Sequence, residues 1–94
     1  MSSYVESGPV VPEGVHWVSD WGHGWLCVPS SSCAGLAFSE YSYDGGDVLY
    51  LEEDIDAGIW LTVYGVRGGR FSTKDHGQSS PVRELPRFGR RVRS

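Results

Sequence analysis

Glu52-Glu53-Asp54-Ile55-Asp56-Ala57-Gly58-Ile59-Trp60-Leu61-Thr62-Val63-Tyr64 decides between two folds for this chain. Its second half, Ile59 to Tyr64, is β-branched and aromatic, which favours a strand. Gly58 would weaken a helix by about 1 kcal/mol relative to alanine. Against this, the four acids stand at the front, where a helix dipole favours negative charge. Gly65 follows where a C-terminal cap is needed. The segment therefore reads as a helix near 53–64, with a strand as the competing state. Being apolar on nearly all sides, such a helix is expected to be largely buried.

Outward from this segment the signals are those of a sheet. Val15-His16-Trp17-Val18 and Trp25-Leu26-Cys27-Val28 are short β-branched and aromatic runs. The glycines of Trp21-Gly22-His23-Gly24 suit a hairpin turn between them, through positive φ. Tyr43-Asp44-Gly45-Gly46 is a second turn, leading into Asp47-Val48-Leu49-Tyr50-Leu51 as a central strand. Arg70 to Thr73 has short-strand character. Ser80-Pro81 opens a capped helical turn over 81–85, because serine suits the N-cap and proline the first helical position. The expected fold is α+β: a small antiparallel sheet from segments near 15–18, 25–28 and 47–51, with one main helix packed on it. An all-β arrangement is the alternative. The 94 residues suffice for a single domain with one small core. Residues 1–14 read as an irregular N-terminal arm and residues 87–94 as a basic C-terminal tail.

Charge is distributed very unevenly. Residues 1–66 contain ten acids and no lysine or arginine, whereas all eight bases lie from Arg67 onward with only Asp75 and Glu84 among them. The two parts carry formal charges of −10 and +6, which give the net −4. The acidic part repels nucleic acid and attracts basic surfaces. No apolar run approaches the length of a membrane helix, about 20 residues, and the first residues lack the pattern of a secretion signal. The expected location is the cytoplasm of a bacterial host cell. Cys27 and Cys33 are expected as free thiols in that reducing compartment, with a disulfide across the short loop as the alternative.

Gly22-His23-Gly24-Trp25-Leu26, Tyr41-Ser42-Tyr43-Asp44-Gly45-Gly46, Leu49-Tyr50-Leu51-Glu52-Glu53-Asp54 and Asp56-Ala57 form an ordered set. Over about residues 21–60 it resembles a small domain of unknown function from phage and mobile-element proteins, whose pattern runs Gly-His-Gly-aromatic-Leu, Tyr-Ser-Tyr, Tyr-Leu-Glu-Glu-Asp. The resemblance implies an origin in a mobile element. In size and charge alone the chain also resembles the anti-CRISPR class.

Glu40, Asp44, Asp47, Glu52, Glu53, Asp54 and Asp56 are seven acids within seventeen residues. Together they could mimic nucleic-acid phosphates and occupy the basic groove of a DNA- or RNA-handling protein. The plain reading is a solvated turn with acids placed for a helix dipole, neutralised in part by the basic tail. Asp54 could instead cap the helix. The run lacks the spacing and glycine of a calcium loop, and His16, His23, His76, Cys27 and Cys33 match no standard zinc spacing. No cofactor or metal is expected. The expected function is thus non-catalytic: inhibition of a host nucleic-acid-handling complex, such as a CRISPR effector, by protein binding.

Two alternatives use other residues. Asp20 and His23 could serve a small hydrolase, with His23 as general base, though no nucleophile-elbow motif accompanies them. Otherwise His23 is expected to hold the Gly22–Gly24 turn. Arg83, Arg87, Arg90, Arg91 and Arg93 could bind nucleic acid as an accessory tail, or fold back on the acids. The aromatic residues Trp17, Trp21, Trp25, Tyr41, Tyr43, Tyr50, Trp60 and Tyr64 are expected mostly in the core, and those left exposed are expected to be good interface anchors.

Overall fold

The computed structural model describes residues 10–89. The fold is α+β. Five strands, β1 (His16–Ser19), β2 (Gly24–Pro29), β3 (Tyr43–Asp44), β4 (Val48–Glu52) and β5 (Thr73–Asp75), form one sheet in the order β3-β4-β2-β1-β5. The three strands read from the sequence form its centre, with β2 antiparallel to both β1 and β4. The sheet is mixed rather than purely antiparallel, because β5 pairs in parallel with β1. Residues Gly68–Arg70 form a 3-10 turn, so the strand expected from Arg70 begins only at Thr73.

The decisive segment resolves into strand end, turn and helix. Glu52 closes β4, and α1 spans Asp56–Tyr64. Asp54 does not cap it. The N-cap position is Ile55 without a side-chain bond, and the Glu52 carboxylate reaches forward to accept from the Asp54 and Ile55 amides at 3.0 and 3.2 Å. At the other end Gly65 takes the left-handed conformation (φ 66°), and the Val66 amide bonds the Leu61 carbonyl, a Schellman stop. Gly58 faces open space, so it costs helix propensity without serving a close contact.

Pairing across the strands alternates side chains between two faces. One face carries Leu26, Val28, Leu49 and Leu51, and α1 closes it with Ala57 and Trp60. The Trp60 indole N–H, buried with the ring, donates to Ser32 Oγ at 2.9 Å, and the ring stacks on Tyr64. The expectation of a largely buried helix fails on the outer side: Ile55, Ile59 and Val63, spaced by four, are exposed.

The opposite face carries Val18, Trp25, Cys27 and Tyr43, and it is covered by a single strap of chain. The strap contains the 3-10 helix Pro81–Glu84, with Ser80 at its N-cap as expected, and Val82 and Leu85 seal the apolar surface. Its far end joins β3 through Asp44 N–H to Pro86 O and Phe88 N–H to Ser42 O, both 2.7 Å. Cys27 and Cys33 are free and belong to different faces, which is why no bridge joins them. Burial pushes both thiols upward in pKa, away from nucleophilic reactivity. Among the described residues no helix is long and apolar enough to cross a membrane.

Candidate functional site

Where the strap crosses the sheet it leaves a cleft of about 430 Å³ beside it. Trp25 and Tyr43 form its buried floor, as edge-to-face neighbours with ring centroids 5.9 Å apart. Arg83 and Arg87 of the strap form one wall, each guanidinium lying over a floor ring, at 5.4 Å from Trp25 and 5.2 Å from Tyr43 respectively. His23, Tyr41, Glu52, Asp54 and Ile55 complete the lining. Tyr41 and Ile55 stand out from the rim, 64% and 66% exposed.

Asp20 anchors the strap wall. Its side chain is buried and accepts five hydrogen bonds. Arg83 donates Nε to Oδ2 at 2.6 Å and Nη2 to Oδ1 at 2.9 Å. The Ser80 amide adds a bond at 2.9 Å, and the Gly22 and His23 amides donate at 2.9 and 3.0 Å. The Arg83 hydrogen bonds, with help from these amides, hold the carboxyl far below the usual carboxylate range, against the opposing effect of burial. With both oxygens occupied, the carboxyl is held in its charged form. It meets the backbone of His23, not the imidazole, so the acid-base pair expected of Asp20 and His23 does not form. His23 does not hold the turn with its ring either. The ring is exposed and tilted against Trp25 at 6.0 Å, and Asp20 performs the holding.

The glycines of that turn do not adopt the positive φ expected of them. A Cβ on Gly22 would stand 2.8 Å from Arg83 Nη2, and one on Gly24 2.7 Å from Glu53 Oε1. A residue larger than glycine at position 22 would have to displace the Arg83 guanidinium from its pairing with Asp20, whereas at position 24 only the end of the exposed Glu53 side chain would have to move.

The seven acids do not share one face. Asp56 is 1% exposed and withdrawn from any contact surface. Its Oδ2 accepts from Ser39 N, Ser39 Oγ and Ser42 Oγ, at 2.9, 2.7 and 2.5 Å. Ser42 Oγ in turn accepts from the Glu52 amide at 2.9 Å. A residue expected at the interface thus fixes the loop that displays Tyr41. Asp44 and Asp47 belong to the β3–β4 hairpin, where Asp44 accepts from the Gly46 amide at 2.8 Å. Asp47 precedes β4, about 16 Å from Glu52 at about 3.3 Å per residue, and Asp44 pairs across from Leu49, on the helix face of the sheet rather than the face with the cleft. Glu53 lines a different, smaller hollow with Trp17 and Gly24. Only Glu52 and Asp54 line the cleft, while Glu40 precedes Tyr41 on the rim loop and its carbonyl accepts from Arg87 Nη1 at 3.1 Å.

Of the arginines expected in the tail, Arg83 and Arg87 are therefore bound to the body, and Arg90, Arg91 and Arg93 lie outside the described residues. Neither arginine of the cleft wall stood out from its sequence neighbours; the partners that select them, Asp20 and Tyr43, are 63 and 44 positions away in sequence. Among the described residues no group of three or more histidine, cysteine or acidic side chains could hold a metal. No family model, curated protein or solved structure matches the chain.

Proposed function

We propose that the chain is a non-catalytic binding protein whose acidic part docks on a basic, nucleic-acid-binding surface of a host protein complex. The observation that carries this reading is the rim of the cleft. Two large apolar side chains, Tyr41 and Ile55, project into solvent directly beside Glu52 and Asp54. Exposed aromatic and aliphatic anchors next to charge are the pattern of an interface centre with a charged border. The contact set is smaller than the seven acids taken together: Glu40, Tyr41, Glu52, Asp54 and Ile55, with Asp44 and Asp47 as a separate outlying pair.

The charge asymmetry supplies the partner's sign. Arg83 is neutralised by Asp20, so Glu40, Glu52 and Asp54 outweigh Arg87 at this rim, and the acidic excess favours a lysine- and arginine-rich surface over nucleic acid. The sequence resemblance to phage and mobile-element domains favours inhibition of a host defence complex, a CRISPR effector being the case that fits size and charge. The test is capture from host lysate by wild type and by a folded Tyr41→Ala/Asp54→Asn variant, at low and at high salt. A nucleic-acid-handling protein held by wild type and released by the variant is the expected result. Equal capture by both, or recovery of nucleic acid alone, would refute the reading.

A further inference from the structure

The strap leaves a second hollow on its other flank, about 290 Å³ in volume, with a different chemistry from the docking cleft. Lys74 and His76 line it from β5 and its extension, and His16 lines it from β1. Lys74 pairs across from Val18, which places His16 and His76 two residues before and after it along the parallel strands. All three side chains therefore share one face of the sheet edge. The apolar wall is Val82 and Leu85 of the strap.

No carboxylate lines this hollow, in a chain that carries twelve. Asp75, between Lys74 and His76, alternates to the other face and accepts from the Gly77 amide at 2.8 Å. Among the described residues Lys74 is in no ion pair. The His16 ring is oriented by its Nδ1, 2.8 Å from the Gly14 carbonyl. Tyr50, which also borders the hollow, has its hydroxyl pushed up in pKa by burial and by the neighbouring Cys27, and so adds no negative charge.

We propose that this hollow is a binding site for a small oxyanion of the phosphate class. Lys74 provides the charge and His76 an N–H donor, while His16 borders the far end of the hollow. The volume, near the lower limit of small-ligand pockets at about 300 Å³, admits a phosphate group together with part of a small molecule that carries it. The site is separate from the docking cleft and stands or falls independently of it.

The test is an NMR titration of the full chain with inorganic phosphate and, in parallel, with adenosine monophosphate, at low chloride. Saturable shifts centred on His16, Lys74, His76 and Leu85 are expected. Lys74 is exposed on an edge strand of three residues, so Lys74→Gln should keep the wild-type melting temperature while weakening binding about tenfold, the loss of one charge-assisted contact. His76→Asn should weaken it less. Tighter binding of the nucleotide would identify a phosphorylated small molecule as the ligand, and equal binding the free anion. Shifts that do not saturate, or an unchanged affinity in Lys74→Gln, would overturn the site.

Discussion

The two faces of the sheet are closed by different means. Under α1 the closure is apolar and deep: Leu26, Leu51, Ala57 and Trp60 have no exposed surface, and the few polar atoms among them are satisfied locally by Ser32. Under the strap the apolar seal is thin, chiefly Val82 and Leu85, and a saturated carboxylate does much of the fastening. Hydrophobic closure is proportional to area and tolerates small displacement. Closure by a bidentate ion pair is directional and depends on both partners remaining charged. The strap face is thereby left with open flanks, and both hollows with candidate functions lie there.

The helix face should be the harder to lose and the more costly. Trp60→Ala removes the largest buried side chain of α1 and leaves a cavity under the sheet; a loss of about 3–5 kcal/mol is expected, enough to unfold a small domain in a thermal melt. Leu49→Ala, on the same face, should cost about 2–5 kcal/mol; an unchanged melting temperature would contradict the register of β4.

The strap face should break next. Arg83→Ala leaves Asp20 buried and charged without its partner, and truncation of one member of a buried pair costs about 3–5 kcal/mol. That figure is an upper bound here, because the Arg83 side chain is 35% exposed and solvent screens such pairs. Hydrogen exchange should show amides of residues 80–88 opening before those of β2 and β4. If Arg83→Ala instead destabilised both faces equally, the strap would be an integral part of a single cooperative core.

Acid should act on the strap face selectively. Asp20 has its pKa lowered in the folded chain, so the unfolded chain takes up the proton more readily. Its contribution to stability is therefore fully present above the ordinary aspartate value, about 3.9, and is lost as pH falls below it. Asp20→Asn should be less stable near neutrality and should flatten this part of the acid limb, as measured by denaturant melts across pH. A wild-type slope in that variant would assign acid sensitivity to other carboxylates.

The smallest stability effect is expected at the rim. Tyr41→Ala and Asp54→Asn change exposed side chains and should shift stability by no more than about 0.5 kcal/mol, while partner binding falls. Charge effects there should weaken with salt, since exposed charges are screened over about 8 Å at physiological ionic strength.

The central strands, the hairpin at Asp44-Gly45-Gly46, the helix stop at Gly65 and the Ser80-Pro81 start were all legible from residue type, because each rests on a local preference of backbone or cap. The helix start was not legible in detail. Four acids near one end are all compatible with the dipole, and nothing local distinguishes Glu52, which reaches forward to two amides, from Asp54, which does not.

Charge asymmetry was a property of the sequence alone, and so was the mixture of acids and aromatics from Glu40 to Asp56. Which acids face solvent together was decided only in three dimensions. Asp56 is buried because Ser39 and Ser42, well before it in the chain, converge on one of its oxygens, while Asp44 is paired opposite Leu49 on the neighbouring strand and Asp47 lies at the other end of β4 from Glu52. Asp20 became a fastening for the same reason: Ser80 and Arg83, about sixty residues on, occupy its oxygens. Local sequence specifies backbone preference over a few residues. The protonation, exposure and company of a carboxylate depend on groups brought to it from elsewhere in the chain, and only the packed fold brings them.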